Sequence, residues 1–316
     1  MYLSSNQKNN CLAIGSELGF RIISLKQLNQ IGDSSKIKKV RFVEMYFTTN
    51  IIFLVSDESP SSIIVFNDAK KEKEDTLTFN AAISRLLVRL NNLYVLTQAG
   101  TLHVVDIDTF EERFEVPDIS YFPKIIVDVP LKAENFIGWN QPNSGVLKLL
   151  PLTKNKGPSR AIDVKLHGNN TCVNFAFDRK GELIGSNSKG TIIKIYEISK
   201  GTKKSIWLNY GSTILSSLTF TPDNQFLIVT QSNGEIKLVK ISGDIIEDLE
   251  KKTSILGKLI RDKYWMKIDT KLDSAMTIFN PQNESIFVCA KNKEIQQYKI
   301  NFADRKFELV DKMSLY

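Results

Sequence analysis

Few residues in this chain have the type and spacing that chemistry needs. There are two histidines, His103 and His167. His103 falls in an alternating strand pattern with no evident partner nearby in sequence, so it reads as structural. The stretch GSNSKGT at 185–191 superficially resembles a phosphate-cradling loop. It lacks the Lys after its second Gly and lies in a hairpin, not between a strand and a helix, so it reads as a tight turn. Adjacent or alternating carboxylates, Glu111–Glu112 and Glu72/Glu74, look like solvated surface. Cys11, Cys172 and Cys289 are odd in number and show no CxxC spacing, which argues against a disulfide framework or a zinc site. A nucleophile elbow, an HExxH pair and an Asp-rich calcium loop are all missing. The residues therefore predict no enzyme, no metal and no cofactor.

What remains is charge. Forty-two Lys and Arg against 35 Asp and Glu leave a net charge of +7. That balance favours anionic partners such as acidic membrane or nucleic acid, or else is the surface of an ordinary lysine-rich protein. Stretches such as KKEKED at 70–75 mix both signs. Nucleic-acid binding needs basic residues interleaved with exposed aromatics. Here Trp139, Trp207 and Trp265 fall in strand-like runs and read as packing residues, so no nucleic-acid partner is expected.

These residues need elements to position them, and the elements repeat. An apolar strand, a short polar turn often holding Gly, and an alternating strand recur seven times. The copies are CLAIGSELGFRIISL (11–25), IIFLVSDESPSSIIVF (51–66), LYVLTQAGTLHVVDI (93–107) and FIGWNQPNSGVLKLL (136–150). They continue as LIGSNSKGTIIKIYEI (183–198), FLIVTQSNGEIKLVKI (226–241) and SIFVCAKNKEIQQYKI (285–300). Their starts lie about 40 to 47 residues apart, except the last step of about 60. Hairpins at a period of roughly 40–45 are the signature of a propeller. Each copy supplies the two central strands of a four-stranded blade. Segments such as CVNFAF (172–177) and LSSLTF (215–220) supply the strand before them. One blade cannot bury both faces alone, whereas radial repetition covers them. The expectation is an all-β chain, a seven-bladed β-propeller, with residues 1–316 as a single domain. The WD dipeptide is absent, so the propeller is divergent.

The long last step marks a loop insertion at about 242–265. Within it Ile245, Leu249, Leu256 and Ile260 fall near helical spacing. An amphipathic helix that meets a membrane or partner is one reading. A loop packed on its own blade is the other, favoured by Gly257 and by the acidic half of the segment. The polar stretch 1–10 has no apolar signal sequence, and no apolar run approaches the roughly 20 residues of a membrane span. With cysteines used so sparsely, the expected compartment is the reducing cytoplasm.

Specific stretches resemble the PROPPIN family, β-propellers that bind polyphosphoinositides. CLAIGSELGFRIISL is similar to the family's opening strand pair, and VEMYF (43–47) to its VEML-type strand. SSIIVFNDAKKEKEDTLTFNAAISRLLVRLNNLYVL (61–96) resembles its blade-two to blade-three run. HGNNTCVNFAFDRKGELIGSNSKGTIIKIYEISKG (167–201) resembles its segment running from a His to SxKGTLIRVFD. LTFTPDNQFLIVTQSNGEIKLVKI (218–241) and KLIRDKYWMKI (258–268) resemble the family's later segments. The resemblance covers nearly the whole chain.

It implies two headgroup sites flanking an F/L-R-R-G motif, one arginine serving each. Arginine suits phosphate because its fork donates two parallel hydrogen bonds. In this chain the corresponding stretch is Leu208-Asn209-Tyr210-Gly211, and no Arg-Arg pair occurs anywhere. At the first site the resemblance carries over His167 and the KGT threonine, Thr191. Lys194 replaces an arginine, keeping the charge but losing the fork, and Asn187 replaces a serine. At the second site the hydroxyl position falls on Glu235 and the histidine position on Lys237. Losing a charge-assisted hydrogen bond costs roughly 1.5–3 kcal/mol, so two lost arginines weaken headgroup affinity about a hundredfold or more. Lys189, Lys200, Lys203 and Lys204 either compensate, at about 1 kcal/mol each near an acidic surface, or are ordinary solvated turn residues.

Two functions are implied by the resemblance. One is a scaffold or adaptor acting at autophagic or endolysosomal membranes, with lipid binding weakened or lost. Its partners would be other proteins, such as a lipid-transfer or autophagy component. The other is a peripheral membrane protein that still reads phosphatidylinositol 3-phosphate through His167, Thr191 and Lys194, with 242–265 as a membrane contact.

Overall fold

Every regular element described is a strand, and each sheet is built from consecutive sequence. The computed structural model describes the chain apart from residues 120–124, 154–156, 169, 189–191, 208–212, 242–263, 273–274, 283, 291–293 and 316. Seven antiparallel sheets succeed one another, at residues 2–34, 40–78, 83–116, 127–165, 172–207, 215–269 and 276–314. Six have four strands in simple order. In the fourth sheet the outer position is split. Strand Val146–Thr153 pairs with Ile162–Lys165 over its first half and with Gly157–Pro158 near its end. This is the seven-bladed β-propeller that the repeats predict.

The seven repeated hairpins coincide with the second and third strands of the seven blades. The preceding strands of blades five and six are Cys172–Phe177 and Leu215–Phe220. Burial explains why the hairpins stand out. Second strands such as Asn92–Thr97 and Phe226–Gln231 are buried throughout, while the fourth strand Glu72–Thr78 is largely exposed. A fully buried strand reads as a continuous apolar run, and an exposed edge strand does not.

The chain divides into two compact units, Met1–Pro123 with Asp311–Tyr316, and Lys124–Val310. In the first unit, Phe20, Val43, Leu54 and Phe66 form a core of blades one and two. Phe53, Ile63, Leu86 and Val95 do the same for blades two and three. In the second unit Leu147, Val164, Phe175 and Ile184 join blades four and five. Ile193, Ile206, Leu218 and Leu227 join five and six. Ile228, Leu238, Ile286 and Val288 join six and seven. Each such side chain contributes roughly 1.5–3 kcal/mol by leaving water, so the blades are held face to face by apolar burial.

A buried carboxylate inside this framework is paired. Glu44, 4% exposed, accepts a hydrogen bond from Tyr2 Oη at 2.8 Å. Burial raises its carboxyl to about 7, against the pull of Arg89, the Tyr2 bond and Arg85. The three cysteines are free thiols, and burial pushes Cys172 and Cys289 up to about 12. No helix among the described residues is long and apolar enough to cross a membrane.

Candidate functional site

Blade five carries a polar row across three strands. Ser186 lies on Leu183–Ser188, Lys194 on Ile192–Glu197 and Ser205 on Thr202–Trp207; the pairings Ser186↔Lys194 and Lys194↔Ser205 align them. Strand alternation turns Ile193 and Ile195 into the core, 0% and 5% exposed, which leaves Lys194 on the other face. Its Nζ donates to Ser205 Oγ at 2.5 Å.

His167 enters this row from the connection between blades four and five. Its Nε2 lies 3.0 Å from Ser186 Oγ, and that hydroxyl also donates to the Lys194 carbonyl at 3.4 Å. The turn is tied down by Gly145, whose carbonyl accepts from Leu166 N at 2.8 Å and His167 N at 3.1 Å. A Cβ at Gly145 would meet Gly168 O and His167 C at 2.7 Å each, so only glycine lets the chains approach this closely. Burial, then the Lys194 charge, lowers the His167 imidazole to about 4. At physiological pH it is neutral and serves as a hydrogen-bonding group, while Lys194 supplies the charge.

Asn187 is 3% exposed and donates to the Ser188 carbonyl at 3.3 Å; its Oδ1 has no hydrogen-bond partner among the described residues. Lys189, Thr191, Asn209 and Tyr210 lie outside the described residues, as do Ile245, Leu249, Leu256 and Ile260. Of the neighbouring lysines, Lys200 pairs with Glu197 at 2.8 Å and Lys203 donates to the Lys165 carbonyl.

Blade six presents a different picture. Glu235 and Lys237 share one face of strand Glu235–Lys240, and their charged groups meet at 3.1 Å. Gln231 Nε2 donates to Glu235 Oε1 at 2.9 Å, and Thr213 Oγ1 donates to Gln231 Oε1 at 2.5 Å. The Lys237 ammonium also lies 5.5 Å from the Tyr264 ring centroid, within cation–π range. A buried cation is thus neutralised by the chain itself.

A family model described as PROPPIN matches residues 1–291. The chain belongs to the PROPPIN family. It is 24% identical over 262 residues to the Homo sapiens WD repeat domain phosphoinositide-interacting protein 1, covering 75% of this chain and 54% of that protein. It is 25% identical over 251 residues to the Dictyostelium discoideum autophagy-related protein 18, covering 76% and 65%. The chain therefore matches between about half and two thirds of the length of these relatives. Among solved structures it is similar to Kluyveromyces lactis Hsv2, with a TM-score of 0.79 at 14% identity over 99% of this chain and 98% of the other. It is also similar to KlAtg21 in its complex with the coiled-coil of AgAtg16, with a TM-score of 0.82 at 16% identity, covering 99% and 98%. These likenesses establish the PROPPIN fold.

Within this PROPPIN propeller, His167 and Lys194 come together on one row, joined through Ser186. Ser186 and Ser205 were not singled out by sequence, although the pairing register of adjacent alternating strands would have placed both beside Lys194. His103 has the partner that its sequence neighbourhood did not reveal. Its Nδ1 lies 2.8 Å from Glu112 Oε2, with Glu115 on the paired position of the next strand at 4.0 Å. Glu112 is therefore more than solvated surface. Among the described residues these three form the grouping with metal-ligating spacing, within 4.8 Å. A carboxylate only accepts, so this contact is an Nδ1–H donated to Glu112, and the buried Nε2 has no hydrogen-bond partner among the described residues.

Proposed function

We propose that this PROPPIN propeller is a non-enzymatic scaffold or adaptor at autophagic or endolysosomal membranes, with phosphoinositide binding weakened or lost. One observation carries the reading. The place that family resemblance assigns to a second headgroup site holds the Glu235–Lys237 pair, 3.1 Å apart. A carboxylate there repels phosphate, and the cation beside it is already spent on that carboxylate. The missing Arg-Arg pair points the same way. The setting is drawn from relatives, one named phosphoinositide-interacting and one autophagy-related. A protein partner is supported by a relative of the same fold solved with a coiled coil.

A second reading has its own observation. His167 bonds Ser186, Ser186 donates to the Lys194 carbonyl, and the Lys194 ammonium donates to Ser205, one connected polar row carrying one cation. With Thr191 they would make a residual site for phosphatidylinositol 3-phosphate.

Flotation with liposomes that contain or lack phosphatidylinositol 3-phosphate, at physiological salt, separates the two. The scaffold reading expects no lipid-specific recruitment. Specific recruitment abolished by Lys194→Ala or His167→Ala overturns it in favour of the residual site. Recruitment to any acidic liposome, lost as salt rises, reports only diffuse attraction and leaves the scaffold reading in place.

A further inference from the structure

Between the turns that join the first and second strands of blades six and seven lies a cavity of about 530 Å³, lined by none of the residues of the blade-five polar row. Its floor is Phe226 and Phe279, 6% and 5% exposed, and its walls include the half-buried Trp265 and Phe302. Phe226, Trp265 and Phe302 pack on one another with ring centroids 5.0, 5.5 and 5.6 Å apart. Arg305 covers Trp265 at 5.6 Å from its centroid. Two exposed prolines, Pro222 and Pro281, complete the lip. A volume of this size lies within the roughly 300–1,000 Å³ of ordinary ligand pockets.

The walls are preformed. Thr221 Oγ1 donates to Asp223 Oδ1 at 2.6 Å and accepts from Phe226 N at 3.0 Å, and Gln225 N donates to Asp223 Oδ1 at 3.1 Å. The blade-six turn is thereby fixed before anything binds.

The rim is acidic in a chain of net charge +7. Asp223 and Glu284 are both exposed, one on each turn. No side-chain hydrogen bond or ion pair joins Glu284 to any described residue, and the second carboxylate oxygen of Asp223 is likewise unengaged among them. Rigid aromatic and prolyl walls hold an aromatic or prolyl side chain at low entropic cost, and carboxylates beside them select a neighbouring cation.

We propose that this pocket docks a basic peptide segment of a protein partner, with an aromatic or prolyl anchor in the cavity and Lys or Arg against Asp223 and Glu284. This docking is independent of whether lipid binding survives in blade five.

The test is selection of random dodecapeptides displayed on phage against the full chain, with counter-selection on Glu284→Lys. Glu284 is exposed, so this variant keeps the fold. Phe302→Ala, checked by circular dichroism and thermal melting, probes the wall. Enriched peptides are expected to carry Trp, Phe or Pro next to Lys or Arg. Synthesised, they should lose about tenfold in affinity on Glu284→Lys, as for a lost charge-assisted hydrogen bond. Failure of any peptide to survive counter-selection, enrichment of acidic peptides, or equal binding to Glu284→Lys overturns the proposal. So does binding that requires deletion of residues 242–263, because the occupant would then be the chain's own segment.

Discussion

Lys237 and Glu235, two residues apart on one strand, meet ammonium to carboxylate at 3.1 Å, with 1% of the lysine side chain exposed and 24% of the glutamate. Removing one partner of such a pair strands the other, whereas replacing the cation by an apolar side chain of similar length does not. Glu235→Gln is therefore expected to destabilise the chain by about 3 kcal/mol, the low end for a buried pair because Glu235 stays partly wetted. The double variant Glu235→Gln with Lys237→Met should recover most of that loss. Urea titration of the three proteins measures it, and equal stability of the single and double variants would contradict the pairing.

His167 is held neutral by burial and by the Lys194 charge down to about pH 4. Between that value and the ordinary imidazole value of 6.5, the unfolded chain binds a proton that the folded chain refuses. Stability from this group thus falls as pH drops through that window and is complete above it. An NMR titration of the His167 ring, assigned with His167→Gln, should stay flat from about pH 7.5 to 5. A midpoint near the free imidazole value would show the ring open to solvent.

Glu44 acts in the opposite sense. Its carboxyl is raised from 4.5 to about 7, chiefly by burial, so between those values the folded chain holds a proton that the unfolded chain has released. Its contribution is full below the unfolded value and is lost as pH rises through about 7. Glu44→Gln keeps an acceptor for Tyr2 and removes the loss, gaining on the order of 1–3 kcal/mol over the wild type at alkaline pH and little at acid pH. Parallel stability–pH curves for the two proteins would refute the assignment.

Gly145 couples the fourth blade to the site in the connection leading to the fifth. With a Cβ there facing Gly168 O, His167 C and Asn170 O at 2.7, 2.7 and 2.8 Å, Gly145→Ala must push the His167 turn outward. Overpacking of this kind costs about 1–3 kcal/mol. A lowered melting temperature together with a shifted His167 resonance is the expected pair of changes; a shift in neither would mean that the turn yields freely.

The fold was legible because burial wrote it into the hairpins. Second strands such as Phe226–Gln231 are buried along their whole length, and turn residues punctuate them at a steady interval. Outer strands were harder to read, since Glu72–Thr78 is exposed and carries no apolar pattern. The site was legible only in part. His167 and Lys194 stand out by residue type, but Ser186 and Ser205 are ordinary residues until register brings them beside Lys194. By family resemblance Lys237 takes the histidine position of the second headgroup site, and only three dimensions reveal it as buried and paired with Glu235. His103 and Glu112 meet across two strands, a relationship that spacing along the chain does not encode.

Every sheet of the propeller draws its described strands from one uninterrupted stretch, with none borrowed from a distant part of the chain. The gene therefore has natural joints, roughly every forty codons. Duplication or loss of coding sequence at those joints would leave each remaining sheet whole. Such a layout suits an ancestry by tandem copying of one sheet-sized unit.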